Sequence, residues 1–181
     1  MVSWGVDPSN QAVWTLFELH GKPFDLINIY ASNDAHDRRS LWSWLAFSLP
    51  LATWVLCGDF NMVEKFVDKQ SHNPFYWNLG EKEAWFFLKN KLTLYDPNST
   101  FSPANFQESH WFTWSNLQAG NNQVLKRLDR AMLSKLDSFY FENLISQSPH
   151  VYVVLDTTLS NHAPIMFNIK YNHIPKRIFK P

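Results

Sequence analysis

The stretch WVLCGDFNMVE, residues 54–64, starts as an apolar run, reaches a glycine, and then presents Asp59, Phe60 and Asn61. Its first part, within ATWVLCG (52–58), is short, continuous and apolar, which predicts a central strand buried on both faces. The polar residues after Gly58 have two readings. Asp59 and Asn61 can form an Asx turn that leaves the strand. They can also be functional groups, because loops at strand ends are where sites are usually built. Local sequence leaves both open, and the rest of the chain has to decide.

Working outward, QAVWTLFEL (11–19) predicts a strand, residues 20–23 a turn, and FDLINIYA (24–31) its antiparallel partner. In DRRSLWSWLAFSL (37–49) apolar residues fall at 41, 42, 45, 46 and 49, which is helical spacing, and Pro50 stops it. NLGEKEAWFFLKNKLTLYD (78–96) predicts a second helix, with Glu81 and Glu83 in its first turn and lysines further on. Further strands are predicted at 110–116, 124–134, 150–156 and 163–170, with a Gly/Asn-rich turn at 119–123. The tail, 171–181, contains two prolines and several basic residues and reads as a linker. Strands outnumber helices and helices interrupt them, which predicts an α/β (α+β) sandwich with mixed sheets instead of a doubly wound parallel fold. One domain over 1–170 accommodates all of these elements.

Composition narrows the chemistry. Of 181 residues, 45% are hydrophobic and 17% aromatic, enough for a substantial core. Lys+Arg and Asp+Glu are both 16, so a strongly basic nucleic-acid footprint is absent. The single cysteine, Cys57, lies in an apolar run, which rules out a disulfide framework and a thiolate metal site. Residues 1–20 show no secretory signal and no run of 18 apolar residues occurs, so the expected location is nuclear or cytoplasmic, without membrane contact.

Four polar clusters sit at predicted strand ends: Tyr30 with Asn33, Asp59 with Asn61, Asp129 within RLDR (127–130), and SNH (160–162). They supply a phenol, two carboxylates, amides and an imidazole. A carboxylate can take a proton from water, an imidazole can neutralise phosphoryl charge, and a phenol can hold a phosphate oxygen. Each has an ordinary alternative. Asp129 can be a surface ion pair with its flanking arginines, His162 can simply start a strand, and Tyr30 can be a half-buried strand end. Phe112 and Trp114 suit a core, and His36, His72 and His110 show no metal-ligand spacing.

Taken in order, IYAS (29–32), GDFN (58–61), FTWSN (112–116), RLDRAMLS (127–134) and SNHAPI (160–165) resemble the endonuclease/exonuclease/phosphatase superfamily. The pattern is most similar to the apurinic-type endonuclease domain of plant LINE-like non-LTR retrotransposons, and it runs from about residue 10 to 170. The resemblance implies a four-layer α/β sandwich with two facing mixed β-sheets. It implies Mg²⁺- or Mn²⁺-dependent cleavage of a phosphodiester in DNA, with a reverse transcriptase domain as partner in the parent element. By position, Asp59 would orient or deprotonate the attacking water, and Asn61 would hold Asp59 or the phosphate. Tyr30, with Asn33 beside it, would contact the scissile phosphate. His162 would stabilise phosphoryl charge, and Asp129 would hold His162 in one tautomer. Phe112, Trp114 and Ser115 would set packing near the DNA.

Two departures stand out. Asn161 occupies the position where the family has a metal-site Asp, and hard Mg²⁺ prefers carboxylate oxygen. The family's opening strands, which carry an Asn and the principal metal-binding Glu, have no counterpart before residue 11; Glu18 falls in a later strand and does not take that role. The expectation is a fold lacking its first strands, with weakened activity. The alternatives are a non-catalytic degenerate fragment with weak nucleic-acid or protein binding, and a phosphoesterase of the same superfamily acting on a non-DNA substrate.

Overall fold

A computed structural model describes residues 3–19, 22–50, 54–97, 111–134, 152–153 and 160–166. The first three strands are β1 (Ser3–Val6), β2 (Ala12–Leu19) and β3 (Lys22–Tyr30), followed by helix α1 (Ala35–Ser48) and β4 (Trp54–Asp59). Then come β5 (Lys69–Gln70), α2 (Leu79–Lys91), β6 (Leu94–Tyr95), β7 (Trp114–Ser115), β8 (Leu125–Lys126), β9 (Asp129–Ser134), β10 (Tyr152–Val153) and β11 (Ile165–Met166). The main sheet has the order β1-β2-β3-β4-β9-β6, in which β3 and β4 are parallel and every other pair is antiparallel. A second sheet, β5-β8-β7, is antiparallel, as is the pair β10-β11. This is an α+β architecture, as the order of strands and helices predicts.

Parallel neighbours need a crossover, and α1 supplies it between β3 and β4. Asp34 starts α1 by accepting from the backbone N–H groups of His36 and Asp37, so the helix begins at residue 35, two positions before the apolar spacing shows it. Across the main sheet, Trp14, Ile27, Leu56 and Met132 lie directly opposite one another and face α1 and α2. There they join Leu41, Trp42, Leu45, Trp85 and Leu88 in the core. Val55, Ala131 and Leu133, on the alternate face of β4 and β9, are buried as well, so the predicted two-sided burial of β4 holds.

Several boundaries differ from those the sequence predicts. Residues 3–6, for which it predicts no element, form β1 against β2. Lys22 and Pro23 belong to β3 and not to a turn, since they pair with Leu19 and Glu18. Pro23 is tolerated because β4 joins β3 only from Asp25 onward. The second helix ends at Lys91 instead of running to 96. Thr93 takes a left-handed φ of 50°, and Leu94 and Tyr95 then pair with β9. The predicted strand 124–134 is two strands in two sheets, β8 and β9, separated at Arg127 and Leu128. Of 110–116 only Trp114 and Ser115 are strand among the described residues. Within 150–156 and 163–170, strand is described at 152–153 and 165–166. Residues 20–21, 51–53, His110 and the tail 171–181 lie outside the described residues.

Arg127 and Arg130 turn away from Asp129 into the protein, which corrects the surface ion-pair alternative. Arg130 is fully buried and donates to Glu64 and Asp68, each at 3.1 Å, and to the Arg127 carbonyl at 3.0 Å. Arg127 pairs with Asp96 at 2.7 Å, and Lys89 of α2 reaches Glu64 at 2.5 Å. Burial works against the charged form of Glu64, but Arg130 and Lys89 outweigh it and hold its carboxyl below the usual range. The cluster ties the segment after GDFN to β9 and to α2. Replacing Arg130 with Met should leave Asp68 and Glu64 buried without their main cation. The expected loss is about 3–5 kcal/mol, read as a lower midpoint in urea denaturation.

Candidate active site

The end of β4 brings acidic groups together by strand register. Asp59 lies directly opposite Tyr30 of β3 on one side and Asp129 of β9 on the other. Like charges placed opposite each other across strands repel. The backbone at this point admits only glycine at residue 58: φ is +124°, and a Cβ there would sit 2.1 Å from the Ile29 carbonyl oxygen. Phe60 then buries its ring between the helices, 5.8 Å from Trp42 and 5.6 Å from Trp85. That anchor clamps Asp59 and Asn61 on either side of it.

The Asx-turn reading of GDFN holds. The Asp59 carboxylate accepts from the Asn61 backbone N–H at 2.8 Å, an Asx turn, and Asn61 takes a left-handed φ of 47° that asparagine tolerates. The Asn61 side chain donates to the Ala31 carbonyl at 2.7 Å, joining the loop after β4 to the loop after β3. Asp59 Oδ2 is left facing His162, with Nε2 at 3.9 Å.

His162 is held from two sides. Its Nδ1 is 3.1 Å from Asp129 Oδ2, which leaves Nε2 toward Asp59. Its backbone is bridged to Trp114, the Ser115 N–H donates to the Asn161 carbonyl, and the Ala163 N–H donates to the Thr113 carbonyl. Between these contacts Thr113 is buried, and its hydroxyl oxygen accepts from the backbone N–H groups of Leu128 and Asp129 at 3.0 and 2.9 Å. One threonine therefore sets both the backbone that carries Asp129 and the segment that carries His162.

Burial pushes Asp59 above the usual carboxylate range. The Asn61 N–H opposes this and the Asp129 charge adds to it, while His162 and Arg38 work the other way without cancelling the rise. The neighbouring Cys57 thiol is pushed up to about 11 by burial, so it supplies no thiolate nucleophile at this strand end.

Asp59 and His162 line a groove of about 630 Å³, together with Tyr30, Asn33, Asn61 and Asn161. All seven positions singled out in the sequence thus meet here, Asp129 through its bond to His162. Tyr30 is 72% exposed and open to a ligand, not half-buried. Asn33 is tied in by its carbonyl, which accepts from Arg38 at 2.8 Å. Arg38 also pairs with Glu81 of α2, which uses up that groove carboxylate. Sequence reasoning missed Arg38, Thr113, Lys69 and Lys126. Thr113 stood inside a recognised motif, whereas Arg38 lay in a predicted helix outside every motif. A second group, Asp34, His36 and Asp37, gathers at the start of α1; it is exposed, and Asp34 serves as the helix cap.

Two substitutions probe this geometry. Because the folded protein raises the Asp59 pKa, ionised Asp59 costs stability at neutral pH, and that cost fades as pH falls from the raised value to the ordinary carboxylate value. Asp59→Asn should therefore raise Tm at pH 7 by about 2–4 °C, with the gain shrinking in acid. Thr113→Val should strand the buried Leu128 N–H and the partly buried Asp129 N–H and lower stability by about 1–3 kcal/mol, measured by denaturant titration.

No family model matches the sequence, and no curated protein is similar to it in sequence. Solved structures are similar in fold. An AP endonuclease from Archaeoglobus fulgidus superposes with a TM-score of 0.61 at 16% identity, covering 93% of this chain and 70% of that one. The endonuclease domain of TRAS1, a telomere-specific non-LTR retrotransposon, gives 0.59 at 13% identity, covering 93% and 69%. The AP endonuclease LMAP from Leishmania major gives 0.53 at 12% identity, covering 86% and 53%. The chain has the endonuclease/exonuclease/phosphatase-like fold that these AP and retrotransposon endonucleases share.

Proposed function

We propose that this chain is a divalent-metal-dependent phosphodiester hydrolase domain of retrotransposon-endonuclease type, acting on DNA, with activity weakened by Asn161. The observation that carries the proposal is the convergence of Asp59, Asp129 and His162, whose ligand atoms lie within 4.8 Å of one another, with Asp59 and His162 lining an open groove. In this reading Asp59 orients or deprotonates the attacking water. The Asp129 carboxylate orients the His162 imidazole through Nδ1 and turns Nε2 toward the reacting phosphate. Tyr30 and Asn33 contact the phosphate from the exposed rim, and Asn61 holds the two loops in register. A reverse transcriptase domain would be its partner in the parent element.

The donor set fits a hard cation with water-rich coordination. Two carboxylates, Asp59 and Asp129, with the Asn161 amide oxygen, would hold Mg²⁺ or Mn²⁺. The ion would supply charge neutralisation at the phosphoryl oxygens. One feature favours a second reading, a degenerate site that binds without cutting. Among the described residues no glutamate joins the cluster, and Glu81, the other groove carboxylate, is paired with Arg38.

Supercoiled plasmid separates the two readings. The wild-type chain should nick it in Mg²⁺ or Mn²⁺ and stop in EDTA. Asp59→Ala and His162→Ala should each lose about 10²-fold or more, and the rate should fall on the acid side as Asp59 becomes protonated. Asn161→Asp should raise the rate and tighten Mn²⁺ binding in calorimetry. Nicking no faster than in the two alanine variants would leave the non-catalytic reading standing.

A further inference from the structure

The second sheet lines up a row of side chains that the site above does not use. Lys126 of β8 is directly opposite Lys69 of β5 and directly opposite Trp114 of β7. Trp114 is in turn bridged to His162. Directly opposed residues share one face of a sheet, and all four line the groove. The order across the strands is therefore Lys69, Lys126, Trp114, His162.

As a stabilising feature this row makes little sense. Two ammonium groups directly opposite each other repel, and among the described residues neither lysine has a carboxylate partner. Burial pushes Lys126 below the usual range, and the charges of Lys69 and Arg38 push the same way. Lys126 is nonetheless held. Its Nζ lies 4.8 Å above the Trp114 ring, an attraction that fixes an ammonium without cancelling its charge. Lys69 Nζ reaches the Asn73 and Pro74 carbonyls, both at 3.4 Å, which are neutral acceptors. Both cations are thus positioned and still need an anion.

We infer that Lys69 and Lys126 form a subsite for a backbone phosphate of a DNA strand, beside the phosphate that His162 faces, with Trp114 as the positioning residue for Lys126. The inference rests on the phosphodiesterase reading and extends it. Two strand spacings, about 10 Å, separate Lys126 from His162, which sets the lysines at a neighbouring phosphate and not at the scissile one. The subsite also concentrates positive charge locally in a chain whose net charge is zero.

The test is fluorescence anisotropy with a fluorescein-labelled 12-nucleotide single-stranded DNA, without divalent ions so that nothing is cut. Lys126→Met and Lys69→Met should each weaken binding several-fold and reduce the slope of log K against log salt by about 0.7. Lys126→Arg should retain the slope, and Trp114→Leu should weaken binding while leaving both lysines in place. The methionine variants should keep or gain Tm, because they remove a like-charge pair, so weaker binding would not reflect unfolding. A methylphosphonate strand, which has the bases but no backbone charge, should not compete. Wild-type affinity and slope in both methionine variants, or full competition by the methylphosphonate, would overturn the subsite. RNA of the same sequence binding tenfold tighter would overturn its assignment to DNA. Plasmid nicking without lysine-dependent binding would sink the subsite and leave the hydrolase reading; lysine-dependent binding without nicking would do the reverse.

Discussion

The structure turns on two carboxylates set directly opposite each other, Asp59 on β4 and Asp129 on β9. Strand pairing ordinarily avoids this arrangement, because the charges repel and burial worsens the cost. Here the repulsion is retained and managed. His162 sits against both, Asn61 donates its backbone N–H to one, and the Thr113 hydroxyl fixes the backbone of the other. A site that keeps an uncomfortable charge in place is a common mark of function.

Holding that charge takes most of the fold. Phe60 drives the loop after β4 into the helix layer, where Trp42 and Trp85 receive it. On the far side of Asp129, Arg127 and Arg130 lock the segment into a buried set of Glu64, Asp68 and Asp96. Residues alternate along a strand, so consecutive positions serve opposite faces: Asp129 reaches His162 while Arg130 reaches the interior. The four letters RLDR thus set one carboxylate against His162 and two arginines into the interior.

Much of this was legible in the amino-acid order. The apolar run ending in GDFN marked β4, the 3.6-residue spacing marked the first helix, and the placement of glutamates and lysines marked the second. Helix ends were less legible, because Asp34 capping and the left-handed Thr93 act through single residues that periodicity does not register. The segment 124–134 read as one strand because it follows the turn at 119–123 as the expected partner of 110–116; only its pairing shows that β8 and β9 belong to different sheets. The site's members were recognisable as a set of motifs. Their supports were not, since Thr113 and Arg38 act through contacts 15 or more residues away, or across two helices.

By itself, then, the sequence determined which chemical groups this protein offers and that they sit at strand ends: local composition sets strand, turn and helix, and each candidate residue is named by its motif. Tertiary structure alone decided who faces whom. Register put Asp59 against Asp129, Lys126 between Lys69 and Trp114, and His162 beside Trp114. The physical reason is that strand partners are chosen by non-local pairing. A shift of one residue would send each of these side chains to the opposite face, and no local feature of the chain encodes that choice.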